Sequence, residues 1–302
     1  MCWLNQRKTG MKTDEMLFRT TVEVPKWTFP MQAQHHFVLL GSCFAQNIGE
    51  VFESYDLSVV CNPLGVTYNP ASIAIQVQQA LERDKVTLPS SFFHLDGSWG
   101  CWWASTQFSD TDEEKFLSGI QQTFTGLGEA LREADFLFVT LGSNVCYRLK
   151  ENEMIVTNCH KKPHRIFDEV RLNQDACIET LCDMMELLKK ECPKLRVVFT
   201  VSPYRYRKYG FHGSQLAKAT LLLAVEKVCE LYPEKTIYFP AYEILLDELR
   251  DYRFYNDDMI HPAPAAVNYI WQRMVESCMD EGMQKYLKDY EPIRRRKMHK
   301  NL

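Results

Sequence analysis

The sequence has no apolar run of the roughly 18–20 residues that a membrane-spanning helix needs. Its first thirty residues, Met1 to Pro30, carry charges throughout and contain no apolar h-region, so a secretory leader is not expected. No two cysteines stand in a C-x-x-C arrangement, and no internal repeat or low-complexity linker interrupts the chain. An excess of positive charge is also missing: 35 Lys and Arg stand against 39 Asp and Glu, a net charge of −4. No global field therefore draws the molecule to nucleic acid or to an anionic membrane, and neither is expected as a partner.

Cysteine itself is not scarce, but its eleven copies are odd in number and scattered from Cys2 to Cys278. Several lie inside apolar runs, where a free thiol behaves as a small hydrophobe. Secretion would leave at least one thiol unpaired, so a reducing compartment is the simpler reading and a cytoplasmic location is expected. With 302 residues, 46% hydrophobic and 25% charged, the composition is that of an ordinary globular protein. The length suits one large domain or two small ones, and the chain reads as one domain over residues 1–302, with an N-terminal extension over about 1–30 and a basic tail over about 292–302. That tail, with Arg294–Lys300 (RRRKMHK), reads as a solvated charge run.

Five short apolar segments bounded by turn residues read as buried strands: His36–Leu40, Leu57–Cys61, Phe136–Leu141, Arg196–Val201 and Thr236–Phe239. Helical patterns alternate with them at Phe44–Tyr55, Pro70–Arg83, Thr111–Glu133, Asn173–Glu191, Gln215–Tyr232 and about Ala263–Asp280. Strands apolar on both faces and separated by helices imply a parallel sheet between two helix layers, an α/β fold of three layers. Right-handed crossovers then predict strand order 2-1-3-4-5, with a ligand crevice at the switch point beside the first strand. Ser91–Phe108 carries aromatics and an Asp-Gly turn signal, so it reads as a β-hairpin insertion. Met154–Arg171 reads as a short strand-like piece followed by a loop.

Chemistry concentrates at strand ends. Gly41-Ser42-Cys43-Phe44-Ala45 follows the first strand and opens a helix, whose positive end favours a thiolate or alkoxide. The plain alternative is a tight turn at Gly41, a helix cap at Ser42 and packing at Cys43. Far along the chain, Asp258 and His261 stand three residues apart in a polar loop before the last helix. One turn brings that carboxylate onto the imidazole and fixes its tautomer, as a catalytic base requires; the alternative is helix capping by Asp258 and packing of His261. Asn62-Pro63-Leu64-Gly65 and Gly142-Ser143-Asn144 follow the second and third strands, where a backbone N–H and a side-chain amide suit an oxyanion. Cys159, His160 and His164 are awkwardly spaced for a metal and have no second cluster to partner them, so no metal is expected. Arg205, in the SPYRYRKYG run, is a candidate for holding an anionic group, against a solvated loop. Trp102, between Trp99 and Trp103, is a candidate sugar platform, against packing of the insertion.

In this order the residues resemble the SGNH (GDSL-type) hydrolase superfamily, and Gly41–Ala45 is similar to the signature of its GSCFA branch, a bacterial family. The likeness runs from about Phe37 to Trp271 and includes Asn62–Pro70, Ser202–Pro203, Phe239–Tyr242 and Arg250–Pro262. It implies a flavodoxin-like α/β/α fold and an esterase needing no cofactor, acting through an acyl-enzyme on a carbohydrate or other small polar ester. Gly65 and Asn144 fall at the family's oxyanion positions, and Asp258 and His261 at its acid and base. One departure matters: where the superfamily reads G-D-S, this chain reads G-S-C. Ser42 then replaces the Asp and Cys43 the serine, which leaves either as the attacking residue. Acyl transfer from a thioester donor and ligand binding without catalysis are the other functions open to such a chain.

Overall fold

The computed structural model describes residues 19–82 and 88–300, with no account of the side chains of residues 88 and 298–300. Its centre is a five-stranded parallel sheet built from β1 (Phe37–Gly41), β2 (Val59–Cys61), β5 (Phe136–Leu141), β9 (Arg196–Val201) and β10 (Thr236–Tyr238). The spatial order β2-β1-β5-β9-β10 is the expected 2-1-3-4-5, with β1 in register with both Val59–Cys61 and Phe136–Thr140.

Alternation along β1 explains the layers. Val38 and Leu40 enter one core with α2 (Pro70–Leu81), α3 (Glu113–Glu133), α4 (Gln174–Glu191) and α5 (Gly210–Leu231). Phe37 and Leu39 enter the other core, with α1 (Cys43–Ser54), α7 (Pro264–Cys278) and α8 (Glu281–Lys300). A strand buried on both faces can only persist between two such layers. A single turn of α6 (Ala241–Glu243) runs into a π-helical stretch, Ile244–Leu249, before the loop that leads to α7.

Two insertions lie outside the sheet. The Asp-Gly turn does form a hairpin, β3 (Phe92–Leu95) against β4 (Ser98–Cys101). After β5 the chain makes a three-stranded antiparallel sheet of β7 (Ile155–Val156), β6 (Val145–Leu149) and β8 (Phe167–Arg171), where the sequence shows only a short strand and a loop. The ladder between β6 and β8 supplies the missing order, because each strand alone is too mixed in character to signal itself.

Residues 27–31 and α8 pack against the domain. Met31 N–H donates to the Cys278 carbonyl, and Trp27 and Met31 are buried. The basic tail is the last part of α8: Arg294 lies over the Tyr55 ring and pairs with Glu291, while Arg295, Arg296 and Lys297 are exposed. Residues 1–18 of the expected extension, residues 301–302 of the tail and position 83 of the second expected helix lie outside the described residues. No helix among the described residues is long and apolar enough to cross a membrane.

Candidate active site

β1 ends in a turn that only glycine makes without strain. Gly41 has φ +146°, and a Cβ there would stand 2.4 Å from the Thr140 carbonyl oxygen. Its N–H donates to Asn62 Oδ1 at 2.8 Å, and the next N–H, of Ser42, donates to Thr140 O at 3.1 Å. The chain then turns directly into α1. Ser42 is the N-cap: it is buried, and its Oγ accepts from Phe44 N–H at 3.3 Å. Cys43, one residue on, opens the helix and is exposed to solvent. Partial desolvation nevertheless pushes its thiol above the ordinary value, opposed by a hydrogen bond from its own backbone N–H. The depressed thiol that a helix N-terminus leads one to expect is therefore not found in the free protein.

The second component is a compact turn before α7. Asn256 N–H donates to His261 O at 2.8 Å and Met259 N–H to Asn256 O at 2.8 Å, with Met259 at φ +58°. Asp258 Oδ1 accepts the N–H groups of Ile260 (2.8 Å) and His261 (3.0 Å), while its Oδ2 takes His261 Nδ1 at 2.5 Å. The hydrogen bond to the imidazole, then those to the two amides, hold the Asp258 carboxyl at about 2. Asp258 is thus ionised at any ordinary pH. It selects the tautomer with the proton on Nδ1, which leaves a lone pair on Nε2.

Tyr204, in the loop after β9, packs against the second component. Its ring packs on His261 with centroids 4.7 Å apart. Its phenol is raised by desolvation first, and then by the neighbouring charges of Cys43 and Asp258. The loops after β1 and β9 both leave the C-terminal edge of the parallel sheet, and Tyr204 holds the turn before α7 there. Residues 36–274 match the model of the GSCFA family. The chain belongs to the GSCFA family.

Among solved structures, a candidate GDSL-like lipase from Parabacteroides merdae ATCC 43184 is similar at 10% identity, over 84% of this chain and 99% of that one, with a TM-score of 0.44. An acetyl xylan esterase from Butyrivibrio proteoclasticus is similar at 12% identity, over 90% and 66% of the two chains, with a TM-score of 0.42. A carbohydrate esterase family 3 protein from Talaromyces cellulolyticus is similar at 11% identity, over 79% and 94%, with a TM-score of 0.38. A search of curated proteins found no match.

The remaining candidate positions, Gly65 and Asn144 from the family likeness and Arg205, Trp102 and His160 from the sequence pattern, are engaged in structure. Gly65, at φ +93° and with no room for a Cβ beside Ser105, donates its N–H to Asn62 O at 2.8 Å. Asn144 is buried, with Nδ2 donating to Leu172 O at 2.7 Å and Oδ1 meeting no partner. Arg205 holds the 256–261 turn rather than pointing free: Nη1 donates to Met259 O and its backbone N–H to Ile260 O, both at 3.0 Å. Its guanidinium lies over Phe211 at 4.0 Å and Tyr255 at 5.2 Å, on the wall of an open cavity of about 420 Å³. Trp102 is corrected as a sugar platform. It is 5% exposed and packs on Phe93, His160 and Phe167, so no ligand can stack on it in this conformation. His160 gives Nε2 to the Cys101 carbonyl at 2.8 Å, and no group of three potential metal ligands exists among the described residues.

Sequence reasoning missed Tyr204 and Asn62. Tyr204 is one of three tyrosines in SPYRYRKYG, with nothing local to mark it as the one beside the imidazole. Asn62 did carry a signal: an Asn before Pro at a strand end, held here at φ +43° so that its amide caps Gly41.

Proposed function

We propose that this protein hydrolyses a small polar ester, such as an O-acyl group on a carbohydrate, through an acyl-enzyme on Cys43. The observation that carries the reading is the Asp258–His261 pair, 2.5 Å apart and half exposed, packed on Tyr204 of the loop after β9, with the exposed thiol of Cys43 opening α1 after β1 of the same parallel sheet. His261 Nε2 takes the Cys43 proton as sulfur attacks the ester carbonyl carbon. The tetrahedral oxyanion faces the Cys43 N–H at the positive end of α1. As the carbon–oxygen bond breaks, the alcohol leaves with the proton from Nε2, and a thioester remains. Water, deprotonated by the same nitrogen, releases the carboxylic acid and restores the thiol. Gly65 and Asn144 join as oxyanion donors once substrate draws the Gly65 N–H and a second Asn144 amide hydrogen toward the site.

The capped, buried Ser42 and the exposed Cys43 favour sulfur as the attacking atom over the Ser42 hydroxyl. The raised thiol favours proton removal by His261 in step with attack over a standing thiolate. A thioester intermediate also permits transfer to a sugar hydroxyl, so added acceptor decides between water and alcohol as the second substrate. The test is hydrolysis of short-chain aryl esters by the wild type, Cys43→Ala and His261→Asn. Turnover lost in both variants supports the reading; turnover kept in Cys43→Ala contradicts it.

A further inference from the structure

Beneath the site lies a lysine that the mechanism above does not use. Lys218, on α5, is 1% exposed. Its Nζ donates to the Gly142 and Ser202 carbonyls, both at 2.7 Å, and faces the Tyr242 ring at 5.7 Å. No carboxylate pairs with it among the described residues, and desolvation pulls it down to about 7. Burying a lysine without a counter-charge is costly, so its presence calls for a local reason.

The two carbonyls belong to the loops that carry the site. Gly142 follows β5 and lies against the nucleophile turn: a Cβ on it would stand 3.7 Å from Ser42 Cβ and 3.0 Å from Tyr68 Cβ. Its N–H and that of Ser143 both donate to Tyr68 O. Ser202 follows β9, its N–H donating to Leu141 O, and its Oγ accepts from Tyr204 N–H at 3.3 Å. Tyr204 in turn packs on His261. One helical turn before Lys218 on the same face, Ser214 Oγ accepts from Tyr206 N–H at 3.2 Å. The 202–206 loop is thus held at both ends by α5, and Lys218 alone also reaches the loop beside Cys43.

We propose that Lys218 is a positioning residue: by drawing the Gly142 and Ser202 carbonyls onto one ammonium, it sets the distance between Cys43 and His261. The inference rests on the Cys43–His261 reading above. Two carbonyl dipoles aimed at one point repel each other unless a donor stands between them, and without it both are buried and unpaired. A neutral amine still has two N–H donors for the two carbonyls, so loss of the proton weakens the tie without cutting it.

The test is the rate at which iodoacetamide alkylates Cys43, followed by peptide mass spectrometry between about pH 6 and pH 9. The wild type is expected to show a limb below the thiol's own titration that His261→Asn abolishes. Lys218→Met, which keeps length and fills the space, is expected to follow His261→Asn, with the rate near neutral pH about tenfold below wild type. Lys218→Met retaining the wild-type profile overturns the positioning role and leaves the functional reading intact. Coincident wild-type and His261→Asn profiles overturn both. Should Lys218→Met not fold, Lys218→Arg, which keeps charge and donors, is expected to fold and to retain the limb. A folded Lys218→Arg whose profile follows His261→Asn overturns the proposal.

Discussion

Ser42 and Cys43 are adjacent, yet the end of β1 gives them opposite environments, one capped and buried and the other exposed on the first helical turn. Their substitutions should therefore separate. Ser42→Ala removes a cap and is expected to cost about 1 kcal/mol of stability in urea titrations while leaving aryl-ester turnover within a few-fold. Cys43→Ala should leave stability nearly unchanged and abolish turnover. Asp258→Asn can still accept from the Ile260 and His261 amides, so the turn survives, but it no longer fixes the tautomer. A fall of about 10²–10⁴-fold in kcat with little change in KM is expected from steady-state kinetics. Because the Asp258 carboxyl titrates at about 2, the acid limb of a pH–rate profile should not follow it. Ser42 and Cys43 were legible because they follow an apolar strand, and Asp258 and His261 because they stand three apart in a polar loop before a helix. The thiol's upward shift was not, since desolvation depends on how the folded chain surrounds the side chain.

At the level of elements, the site depends on side chains that hold loops rather than touch substrate. Asn62 satisfies the buried Gly41 N–H, so Asn62→Ala should destabilise the fold by about 1–3 kcal/mol in urea titrations and slow turnover as the turn relaxes. Arg205→Ala removes the guanidinium contact to Met259 O and its stacking on Phe211 and Tyr255. It is expected to lower kcat more than it raises KM, since the turn bearing His261 loosens; a rise in KM alone would instead mark Arg205 as a substrate contact. Helix and strand spans were readable from periodicity, as β1 and α1 illustrate. Pairings were not: β6 and β8 become strands only against each other, and nothing in the RRRKMHK run marks Arg294 as the residue that lies over Tyr55.

For the molecule as a whole, the sheet order followed from strand–helix alternation and crossover handedness, and it is what brings residues 41–43, 204 and 258–261 to one edge. The same double-sided core buries thiols. Burial raises Cys61 and Cys177 to about 12, and Cys101, Cys146, Cys192 and Cys229 to about 11, from an ordinary 9.0. Above that ordinary value the unfolded chain loses these protons first, so stability must fall as pH rises from 9 toward 12. Lys218 acts in the opposite sense, since between about 7 and 10.5 the unfolded chain holds more of its protons. Thermal melts in a pH series should therefore show an alkaline loss of stability beginning near pH 9, and Lys218→Met should lack part of the rise that precedes it. The most direct measurement of the central claim is to quench the protein during turnover of an aryl acetate and map the acetyl group by peptide mass spectrometry. The account predicts one acetyl group, on Cys43, accumulating in Ser42→Ala as in the wild type; acetyl on Ser42, with Cys43→Ala still turning over, would contradict it.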